Sequence, residues 1–246
     1  MSIKKGIILA GGHGTRLAPL TDITNKQLLP VYNKPMVQYP LETLIKRGIH
    51  DILIISDGKH TGHFTDYLGD GSDFGVNLTY KVQKEAGGIA QALGLAKDFA
   101  AGDSVTVILG DNIFEDKYIP TFKIEEDKAY FFVKKVKNPE RFGVISLSEV
   151  GQEGDPIIVE KPKRPVGDQA VVGLYIYPND VFDIIPTLKP SERGELEITD
   201  VNNFYLKRQR GCIKKIKGFW TDMGSHDSLL ESAKWVKKKI KLDEKK

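Results

Sequence analysis

The stretch Lys5-Gly6-Ile7-Ile8-Leu9-Ala10-Gly11-Gly12-His13-Gly14-Thr15-Arg16-Leu17 decides the fold of this chain. It begins as a run of small apolar side chains, which is typical of a parallel strand buried on both faces. The run then breaks into glycines, which let the backbone approach a ligand closely. Successive N–H groups in such a turn form an anion-binding concavity, and Thr15 and Arg16 add side-chain donors that match phosphate oxygens. We therefore predict that this loop holds phosphate.

The loop does not match the two best-defined nucleotide loops. No Gly-Lys-Ser/Thr follows at the spacing of a Walker loop, and the glycines do not form the dinucleotide fingerprint Gly-x-Gly-x-x-Gly. Any strand-to-helix turn can be rich in glycine, so an ordinary structural turn explains the stretch about as well when it is taken alone. The rest of the chain has to decide between the two interpretations.

Length and composition indicate a globular protein with one core. The 246 residues fit a single domain over 1–246, and 40% hydrophobic with 28% charged residues is ordinary globular composition. No apolar run approaches the roughly 20 residues of a spanning helix, and Met1 leads straight into a strand instead of a signal peptide. The lone Cys212 has no partner for a disulfide or a zinc cluster. We therefore expect a cytoplasmic protein without membrane contact.

The charge pattern argues against nucleic acid as a partner. The net charge is only +3, and much of the excess lies in a lysine-rich run near the end of the chain. Such a run is usually a solvated helix face. Its single aromatic residue is Trp235, and the chain has no zinc or helix-turn-helix pattern.

The first half of the chain alternates strands and helices. Apolar spacing after the opening strand predicts a helix from about Met36 to Gly48. Further elements are a strand at Asp51–Ser56, a helix near His60–Leu68, a strand near Leu78–Val82, a helix at about Ile89–Phe99 and a strand at Ser104–Leu109. This alternation requires right-handed crossovers and predicts a Rossmann-like, three-layer α/β fold with a mixed, mainly parallel sheet.

Loops that follow the strands are candidate binding sites, because ligands of such sheets bind outside the carboxyl ends of the strands. Gln83 has an amide able to read a base edge, and Gly87-Gly88 leaves room for a flat ring against the backbone. Asp111 directly follows a buried strand, where a carboxylate would hold a hard cation over phosphates. The ordinary alternatives are a glycine turn with a surface glutamine, and an aspartate that caps the next turn.

From Lys128 onward the pattern changes to strands with few helices between them. Apolar runs predict strands at Tyr130–Val133, Gly143–Leu147, Ile157–Glu160, Val171–Tyr177 and Ile213–Ile216. We interpret them as an inserted β-rich part, a mixed sheet with β-hairpins laid over the first half. The expected division of the chain is about 1–127, about 128–225 and a C-terminal helical segment at 226–246.

Helices are predicted near Val181, at Ile198–Gln209 and at about Asp227–Ile240. The last of them has an apolar stripe that we expect to face inward, formed by Leu229, Leu230, Ala233 and Val236. His60 and His63 form a close histidine pair, which we interpret as a helix start at the surface, because no carboxylate or cysteine is placed to complete a metal site.

Two further motifs carry charges. Glu160-Lys161-Pro162 ends a predicted strand with a carboxylate and an amine side by side, a pair that is most often solvated at a sheet margin. Asp222 lies beside a glycine in a loop after a strand, as Asp111 does far earlier in the chain, while the nearby Trp220 is compatible with a plain core position.

These parts favour a reaction that needs charge neutralisation and alignment more than a protein nucleophile. The chain has no Ser-His-Asp arrangement, no catalytic thiol setting and no spaced histidine cluster for zinc. Phosphoryl-type transfer fits, because its transition state spreads negative charge over oxygens. An acceptor phosphate monoester needs no general base, since its second pKa of about 6 leaves it mostly dianionic at neutral pH.

Six ordered motifs resemble those of the sugar-1-phosphate nucleotidyltransferases, and they cover nearly the whole chain. They are residues 9–17 (LAGGHGTRL), 26–36 (KQLLPVYNKPM), 109–112 (LGDN), 159–162 (VEKP), 195–202 (ELEITDVN) and 220–225 (WTDMGS). The resemblance implies an in-line displacement at the α-phosphorus, in which dTTP, or in some members UTP, and a sugar 1-phosphate such as glucose 1-phosphate give a nucleotide sugar such as dTDP-glucose and pyrophosphate. Such a product would supply deoxysugar synthesis.

The resemblance also implies roles for individual residues. Arg16, Lys26, Asp111, Lys161 and Asp222 would be catalytic, with Asp111 and Asp222 binding Mg2+. The nucleotide-binding set would be Leu9, Gly11, Gly12, Gly14, Thr15, Arg16, Lys26, Gln83, Gly88 and Asp111. The sugar-phosphate-binding set would be Gly143, Glu160, Lys161, Val172 and Trp220. Residues 1–127 would then be the nucleotide-binding half and 128–225 the sugar-phosphate-binding half.

Some features depart from the family pattern or stay open. The loop before Gly88 reads Glu-Ala-Gly where the family usually has a proline. Many relatives continue past the last helix into a segment that helps form a regulatory nucleotide site, so we expect no end-product inhibition through such a site here. Homo-oligomerisation is expected from the family. Alternatives are a UTP-dependent enzyme, one for another hexose 1-phosphate, and a non-catalytic nucleotide-sugar-binding regulatory subunit.

Overall fold

The protein is described by a computed structural model over residues 3–146, 156–164 and 166–244. Leu147, which ends one predicted strand, lies outside these ranges, as do the first two and last two residues of the predicted domain. The strands are β1 (Lys5–Ala10), β2 (Pro30–Val31), β3 (Lys34–Pro35), β4 (Asp51–Asp57), β5 (Asn77–Gln83), β6 (Val105–Leu109), β7 (Asn112–Phe114), β8 (Ala129–Lys135), β9 (Gly143–Ser146), β10 (Ile157–Glu160), β11 (Gln169–Tyr177), β12 (Gly211–Lys215) and β13 (Trp220–Asp222). The helices are α1 (Gln38–Lys46), α2 (Thr61–Leu68), α3 (Ile89–Gly94), α4 (Lys97–Ala100), α5 (Val181–Ile184), α6 (Ile198–Leu206) and α7 (His226–Asp243).

A central mixed sheet organises the fold. Among the described residues it has nine strands, with the order β10-β9-β11-β6-β1-β4-β5, while β8 pairs with both β11 and β12. The strands β6, β1, β4 and β5 run parallel. The α/β fold predicted from the alternation of elements is therefore confirmed, and the carboxyl ends of these four strands lie along one edge.

The apolar run of β1 is buried on both faces, as its composition predicts. Ile7 belongs to a core with the side chains of α3, α5 and α6, and Ile8 belongs to a second core with α1 and α2. Both side chains are fully buried. Because successive side chains of a strand point to opposite faces, an unbroken apolar run is what a two-faced core requires. Burying each isoleucine contributes roughly 1.5–3 kcal/mol.

The strands of the second half extend this sheet instead of lying over the first half as hairpins. β11 joins β6 in antiparallel register, with Leu174 opposite Ile108. At its beginning β11 pairs with β9 instead, where Ala170 lies opposite Val144, and its register to β8 shifts between Val171 and Tyr175. The sheet therefore opens beside the end of β6, because β11 changes its neighbour there.

Two predicted helices differ from the structure. The helix expected over Ile89–Phe99 is divided into α3 and α4, and α3 ends at Gly94, a residue with low helix propensity. In α7, Leu230 is 54% exposed, so its predicted inward position is wrong. The buried face of α7 follows Ser228, Ser232 and Val236, because about 100° of rotation per residue carries Leu230 away from that face.

Within the described ranges, no helix combines the length and the apolar character that crossing a membrane requires.

Candidate functional site

Two cavities meet at the carboxyl ends of β1, β5 and β6. The first, of about 220 Å³, has the walls Leu9, Gly11, Gly12, Lys26, Gln27, Gln83, Ala86, Gly88, Ile89, Ala92, Leu109, Asp111 and Glu195. The second, of about 240 Å³, lies where the sheet opens and includes Arg16, Gly143, Glu160, Lys161 and Asp222. Five residues line both cavities: Lys26, Ile89, Leu109, Asp111 and Glu195. A molecule in each cavity would therefore meet the other beside Lys26 and Asp111.

The glycine loop connects the two cavities. Gly12 and Gly14 have left-handed backbone angles, with φ of 97° and 63°. A Cβ on Gly11 would lie 2.5 Å from Gln83 Oε1, so the glycine is needed for the close approach of these two segments. Arg16 lines the second cavity, but Gly14 and the exposed Thr15 line neither cavity.

Lys26 lies in a short 3-10 turn over Lys26–Leu28. The turn is capped by Asn25, whose side-chain Oδ1 accepts a hydrogen bond from the Gln27 N–H at 2.8 Å. Lys26 Nζ lies 2.6 Å from Asp111 Oδ2, and both side chains are mostly buried. Lys26 and Asp111, which are 85 positions apart in the sequence, thus form a salt bridge.

Gln83 and Gly88 form part of the wall of the first cavity. Gln83 Nε2 donates to Gln91 Oε1 at 2.6 Å, which leaves Gln83 Oε1 turned toward Gly11. Gly88 has φ of 100°, and a Cβ there would lie 2.5 Å from the backbone oxygen of Leu196. Sequence reasoning found Gln83 and Gly88 but missed Gln91, which belongs to none of the six motifs, and it gave Leu196 no role although that residue lies in the 195–202 motif.

Asp111 is held by a buried amide. Asn112 Nδ2 donates to Asp111 Oδ1 at 2.9 Å, while Asn112 Oδ1 accepts from the Gly173 N–H and from Trp220 Nε1. These two donors fix the orientation of the amide. Burial by itself raises the pKa of Asp111, but Lys26 and the bond from Asn112 outweigh it and hold that pKa below its usual range. Asp111 is therefore ionised.

Asp222 has the opposite electrostatic environment. β13 pairs with β7 so that Asp222 lies opposite Asn112, and the Met223 N–H donates to the Asp111 carbonyl at 2.7 Å. Burial and the charge of Asp111 raise the pKa of Asp222 to about 6, against the pull of Arg141 and Arg16. Two carboxylates with opposite pKa shifts thus line the second cavity, Asp111 just before β7 and Asp222 at the end of β13.

Arg141 is a site residue that the sequence did not reveal. Its Nη2 lies 3.1 Å and 3.0 Å from the two carboxylate oxygens of Asp222, whereas Arg16 Nη2 lies 3.8 Å from Asp222 Oδ2. Arg141 ends a short turn before β9 and belongs to none of the six motifs. No local signal distinguishes it from a surface arginine, and only the packing of that turn against β13 brings it to the site.

The second cavity presents a carboxylate and two cations from separate elements. Glu160 Oε2 accepts from the Thr199 hydroxyl at 2.6 Å, and its Oε1 lies 3.7 Å from Arg193 and 3.8 Å from Lys161. Lys161 has φ of 41°, so the alternation of strand side chains ends at Glu160 and both side chains reach the same cavity. Arg193 was also missed by sequence reasoning. It makes hydrogen bonds of 2.9 Å to both carboxylate oxygens of Glu197.

Three other predicted residues take different positions. Gly143 lines the second cavity, and a Cβ there would lie 3.3 Å from Glu160 Oε2. Trp220 also lines it, but the residue is 7% exposed and its ring packs against that of Phe142, with 5.4 Å between the centroids. The side chain of Val172 is fully buried in the core of the opposite face, so only its backbone is near the cavity that Val171 and Gly173 line.

The charges of the second cavity balance. Its cations are Arg16, Lys26, Arg141, Lys161 and Arg193, and its carboxylates are Asp111, Glu160, Glu195, Glu197 and Asp222. An anionic ligand must therefore compete with carboxylates for these cations, unless another cation takes the carboxylates. Across the described ranges, no three His, Cys, Asp or Glu side chains form a group that could hold a metal ion by themselves.

The sequence is similar to known proteins over all the residues of this site. The glucose-1-phosphate thymidylyltransferase of Neisseria meningitidis serogroup A / serotype 4A is 47% identical over 238 residues, covering 94% of this chain and 82% of the relative. The enzyme of the same name from Mycolicibacterium smegmatis is 47% identical, covering 95% of this chain and 82% of the relative. A structure of UDP-glucose pyrophosphorylase complexed with UDP-glucose superposes with a TM-score of 0.79 at 25% identity, covering 96% of this chain and 99% of the other. A family model described as nucleotidyl transferase matches residues 5–239, and the chain therefore belongs to the nucleotidyl transferase family.

Proposed function

We propose that this protein transfers a thymidylyl group from dTTP to glucose 1-phosphate, giving dTDP-glucose and pyrophosphate. The observation that carries the proposal is the shared wall of the two cavities, where Lys26 and Asp111 pair at 2.6 Å beside Asp222. A nucleotide in the first cavity and a sugar 1-phosphate in the second would bring their phosphates together at this wall. The relatives at 45–47% identity support this choice of substrates.

The first cavity suits a pyrimidine nucleotide. Gln83 Nε2 is engaged by Gln91, so Oε1 is the atom turned toward Gly11, and such an acceptor is what the N3–H of thymine or uracil requires. Gly11, Gly12 and Gly88 leave the backbone accessible, and Leu9 adds an apolar wall. We propose that Lys26 and Arg16 bind the triphosphate, and that Arg16 stabilises the charge of the departing pyrophosphate. Gly14 and Thr15 line neither cavity, so we propose that they serve to position Arg16.

The second cavity suits a phosphorylated sugar. We propose that Lys161 binds the phosphate, because its side chain is partly exposed. Its ammonium group has one loose carboxylate contact, 3.8 Å from Glu160 Oε1. Glu160, fixed by Thr199, would accept hydrogen bonds from sugar hydroxyls. Gly143 and the backbone of Val172 would leave room for the ring, and Trp220 would form part of the wall. Residues 1–127 and 128–225 are accordingly proposed as the nucleotide and sugar-phosphate halves.

The donor set at the shared wall fits Mg2+. This ion usually takes one or two carboxylates of a protein together with substrate phosphate oxygens, and Asp111 with Asp222 offers two carboxylates beside the proposed phosphate position. When bound, Mg2+ would neutralise charge that builds up on the phosphates. It would also satisfy two carboxylates that otherwise hold Lys26, Arg16 and Arg141, leaving these three cations free to face anions.

No protein nucleophile is needed for this transfer. The acceptor phosphate is mostly dianionic at neutral pH, since its second pKa is about 6, and its oxygen can attack the α-phosphorus directly. The main obstacle is repulsion between two anions. Lys161 on the acceptor side and Lys26 with Arg16 on the donor side place cations on both sides of the meeting point.

A substrate panel tests this proposal. dTTP, UTP, CTP, ATP and GTP are each combined with several hexose 1-phosphates and Mg2+, and both pyrophosphate and the nucleotide sugar are measured. We expect the highest kcat/KM for dTTP with glucose 1-phosphate, and no pyrophosphate when either substrate is omitted. Release with nucleotide alone would indicate a hydrolase, and a preference for UTP or for another hexose would select the corresponding alternative. Binding without turnover of any pair would favour a regulatory nucleotide-sugar-binding protein.

Location and assembly are part of the same proposal. We propose a cytoplasmic enzyme, and from the family resemblance we propose that it forms a homo-oligomer. Sedimentation of the purified protein tests the second statement, because a monomer at micromolar concentration would contradict it.

A further inference from the structure

A buried amide joins the two segments that carry the glycine loop and Lys26. Asn25 is 3% exposed, and its Nδ2 donates to the carbonyl of Ala10 at 3.3 Å, at the end of β1. Its Oδ1 accepts from the Gln27 N–H at 2.8 Å, which caps the turn containing Lys26. The same side chain therefore sets the position of the turn relative to the strand that leads into Gly11.

The orientation of this amide depends on a carboxylate from another strand. Asn25 Nδ2 also donates to Asp57 Oδ2 at 2.7 Å, and Asp57 is the last residue of β4. Asp57 Oδ1 accepts from the backbone N–H of His60 at 3.0 Å and lies 2.8 Å from the His60 ring. An ionised carboxylate can only accept, so it requires the NH2 group of Asn25 on its side and leaves Oδ1 for Gln27. Burial raises the pKa of Asp57, but the bonds from Asn25 and His60 outweigh it and hold that pKa below its usual value.

We propose that Asp57 is a positioning residue for nucleotide binding, which acts through the side-chain amide of Asn25 to hold the Lys26 turn against the glycine loop. The proposal rests on the proposed function, since it assumes that Lys26 binds the phosphates of the nucleotide. Asp57 itself lines neither cavity. Because the two segments that it joins, the glycine loop and the Lys26 turn, are assigned to the nucleotide, the main effect is expected on nucleotide binding.

Substitution of Asp57 by asparagine should disturb the network in every arrangement. If the new amide offers its oxygen to the His60 N–H, its NH2 group turns toward the NH2 group of Asn25. If it offers its oxygen to Asn25 instead, its NH2 group turns toward the His60 N–H. Rotating the Asn25 amide places the NH2 group of Asn25 against the Gln27 N–H. Each arrangement leaves a donor facing a donor, and the loss of a hydrogen bond to a charged group corresponds to about a tenfold or larger change in an equilibrium.

The reciprocal exchange Asn25→Asp with Asp57→Asn should restore most of the network. The carboxylate now at position 25 would accept from both the Gln27 N–H and the amide now at position 57. That amide would in turn accept from the His60 N–H with its oxygen. The 3.3 Å hydrogen bond to the Ala10 carbonyl would be lost, and a carboxylate oxygen would face that carbonyl in its place.

A matched control exists at the other end of β4. There Asn77 Nδ2 donates to Asp51 Oδ1 at 2.8 Å on an exposed surface away from the site. Asp51→Asn therefore makes the same chemical change in a similar carboxylate–amide pair, at a place that contacts neither cavity.

The test measures the dissociation constant of dTTP by calorimetry and the KM of glucose 1-phosphate, with circular dichroism as the check on folding. We expect Asp57→Asn to weaken dTTP binding about tenfold while the KM for glucose 1-phosphate changes less than about twofold. The double variant should recover most of the loss, and Asp51→Asn should resemble the wild type. Equal dTTP binding by Asp57→Asn and Asp51→Asn would overturn the proposal, as would a double variant that binds no better than either single variant.

Two further outcomes are decisive. If Asp57→Asn does not fold, recovery of folding and dTTP binding in the double variant supports the proposal, and failure of both variants overturns it. Failure of the proposed function looks different, because the wild-type protein and Asp51→Asn would then bind no dTTP. If the wild type binds dTTP and Lys26→Ala binds it equally well, the assumed role of Lys26 is wrong and the inference falls with it.

Discussion

At the scale of single residues, the site depends on how the protein divides charge between Asp111 and Asp222. Lys26 and Asn112 satisfy Asp111, whereas Asp222 is buried next to that first carboxylate and has a pKa of about 6. An aspartate whose folded pKa is raised above its unfolded value destabilises the folded state once it ionises. Without a bound cation, the ionised Asp222 side chain therefore lowers the stability of the folded protein.

The first prediction concerns the metal-free protein. The unfavourable contribution of Asp222 is absent below pH 4, grows between pH 4 and pH 6, and is full above pH 6. We expect Asp222→Asn to raise the stability at pH 8 by roughly 1–3 kcal/mol and to lower kcat by about 100-fold or more. Thermal unfolding in EDTA at pH 4 and pH 8, together with turnover in Mg2+, checks both effects. Near-normal turnover would exclude the proposed metal role of Asp222.

The second prediction concerns the acceptor phosphate. Lys161→Ala should raise the KM for glucose 1-phosphate about 10- to 100-fold, because it removes a charged donor, and should leave the KM for dTTP within about twofold. Lys163→Ala is the matched control, since Lys163 is exposed two residues further on and lines neither cavity. Initial rates with each substrate varied in turn provide the measurement. A loss confined to dTTP would reverse the assignment of the two cavities.

Residues with a chemical motif could be predicted from the sequence, and residues placed by packing could not. Motifs point to Lys26, Asp111 and Lys161, and all three line the second cavity. Arg141 is missing from the prediction because an arginine in a short turn has no local signature, and its partner Asp222 lies 81 positions away. Such pairs depend on strand pairings that periodicity does not specify.

At the scale of elements, the second cavity depends on the opening of the sheet between β6 and the start of β11. Gly173 lies at this point, and a Cβ there would lie 2.7 Å from Leu109 Cγ and 2.8 Å from Asn112. Its N–H donates to Asn112 Oδ1, which in turn orients Asp111. The close packing of β11 on the shared wall therefore requires glycine.

The third prediction tests this packing. Gly173→Ala should lower stability by about 1–3 kcal/mol and turnover by about tenfold or more, because the new methyl group displaces Asn112 or Leu109. Gly62→Ala is the control within a helix, since no atom lies within 4 Å of a Cβ there, and it should raise stability by about 0.5 kcal/mol without affecting turnover. Denaturant unfolding and initial rates distinguish the two. An unchanged Gly173→Ala would show that the wall tolerates the added volume.

The strands themselves could be predicted from the sequence, but their order in the sheet could not. The apolar runs of β1, β4 and β6 indicate buried parallel strands because such strands are covered on both faces. The strands of the second half were also found, but their place in the sheet was not, since an antiparallel strand can either extend a sheet or fold over it with the same alternation of side chains. The pairing of Leu174 with Ile108 decides this, and it is a tertiary contact.

At the scale of the whole molecule, the two halves of one sheet meet at two cavities that share one wall. The parallel half provides the glycine loop and Lys26, and the extended half provides Lys161 and Glu160. Backbone hydrogen bonds across the site reinforce this arrangement, because the Leu196 N–H donates to the Gly87 carbonyl and the Ala90 N–H donates to the Leu196 carbonyl. Direct reaction between the two substrates is the function that such a shared wall favours.

The stereochemistry at the α-phosphorus tests this central claim most directly. The enzyme is supplied with glucose 1-phosphate and one diastereomer of dTTP that contains sulfur at the α-phosphorus, and the configuration of the thio-substituted nucleotide sugar is determined by phosphorus NMR. A single in-line displacement between ligands that meet at Lys26 and Asp111 predicts inversion of configuration. Retention would contradict it, because retention requires two displacements and a nucleotide attached to the protein between them.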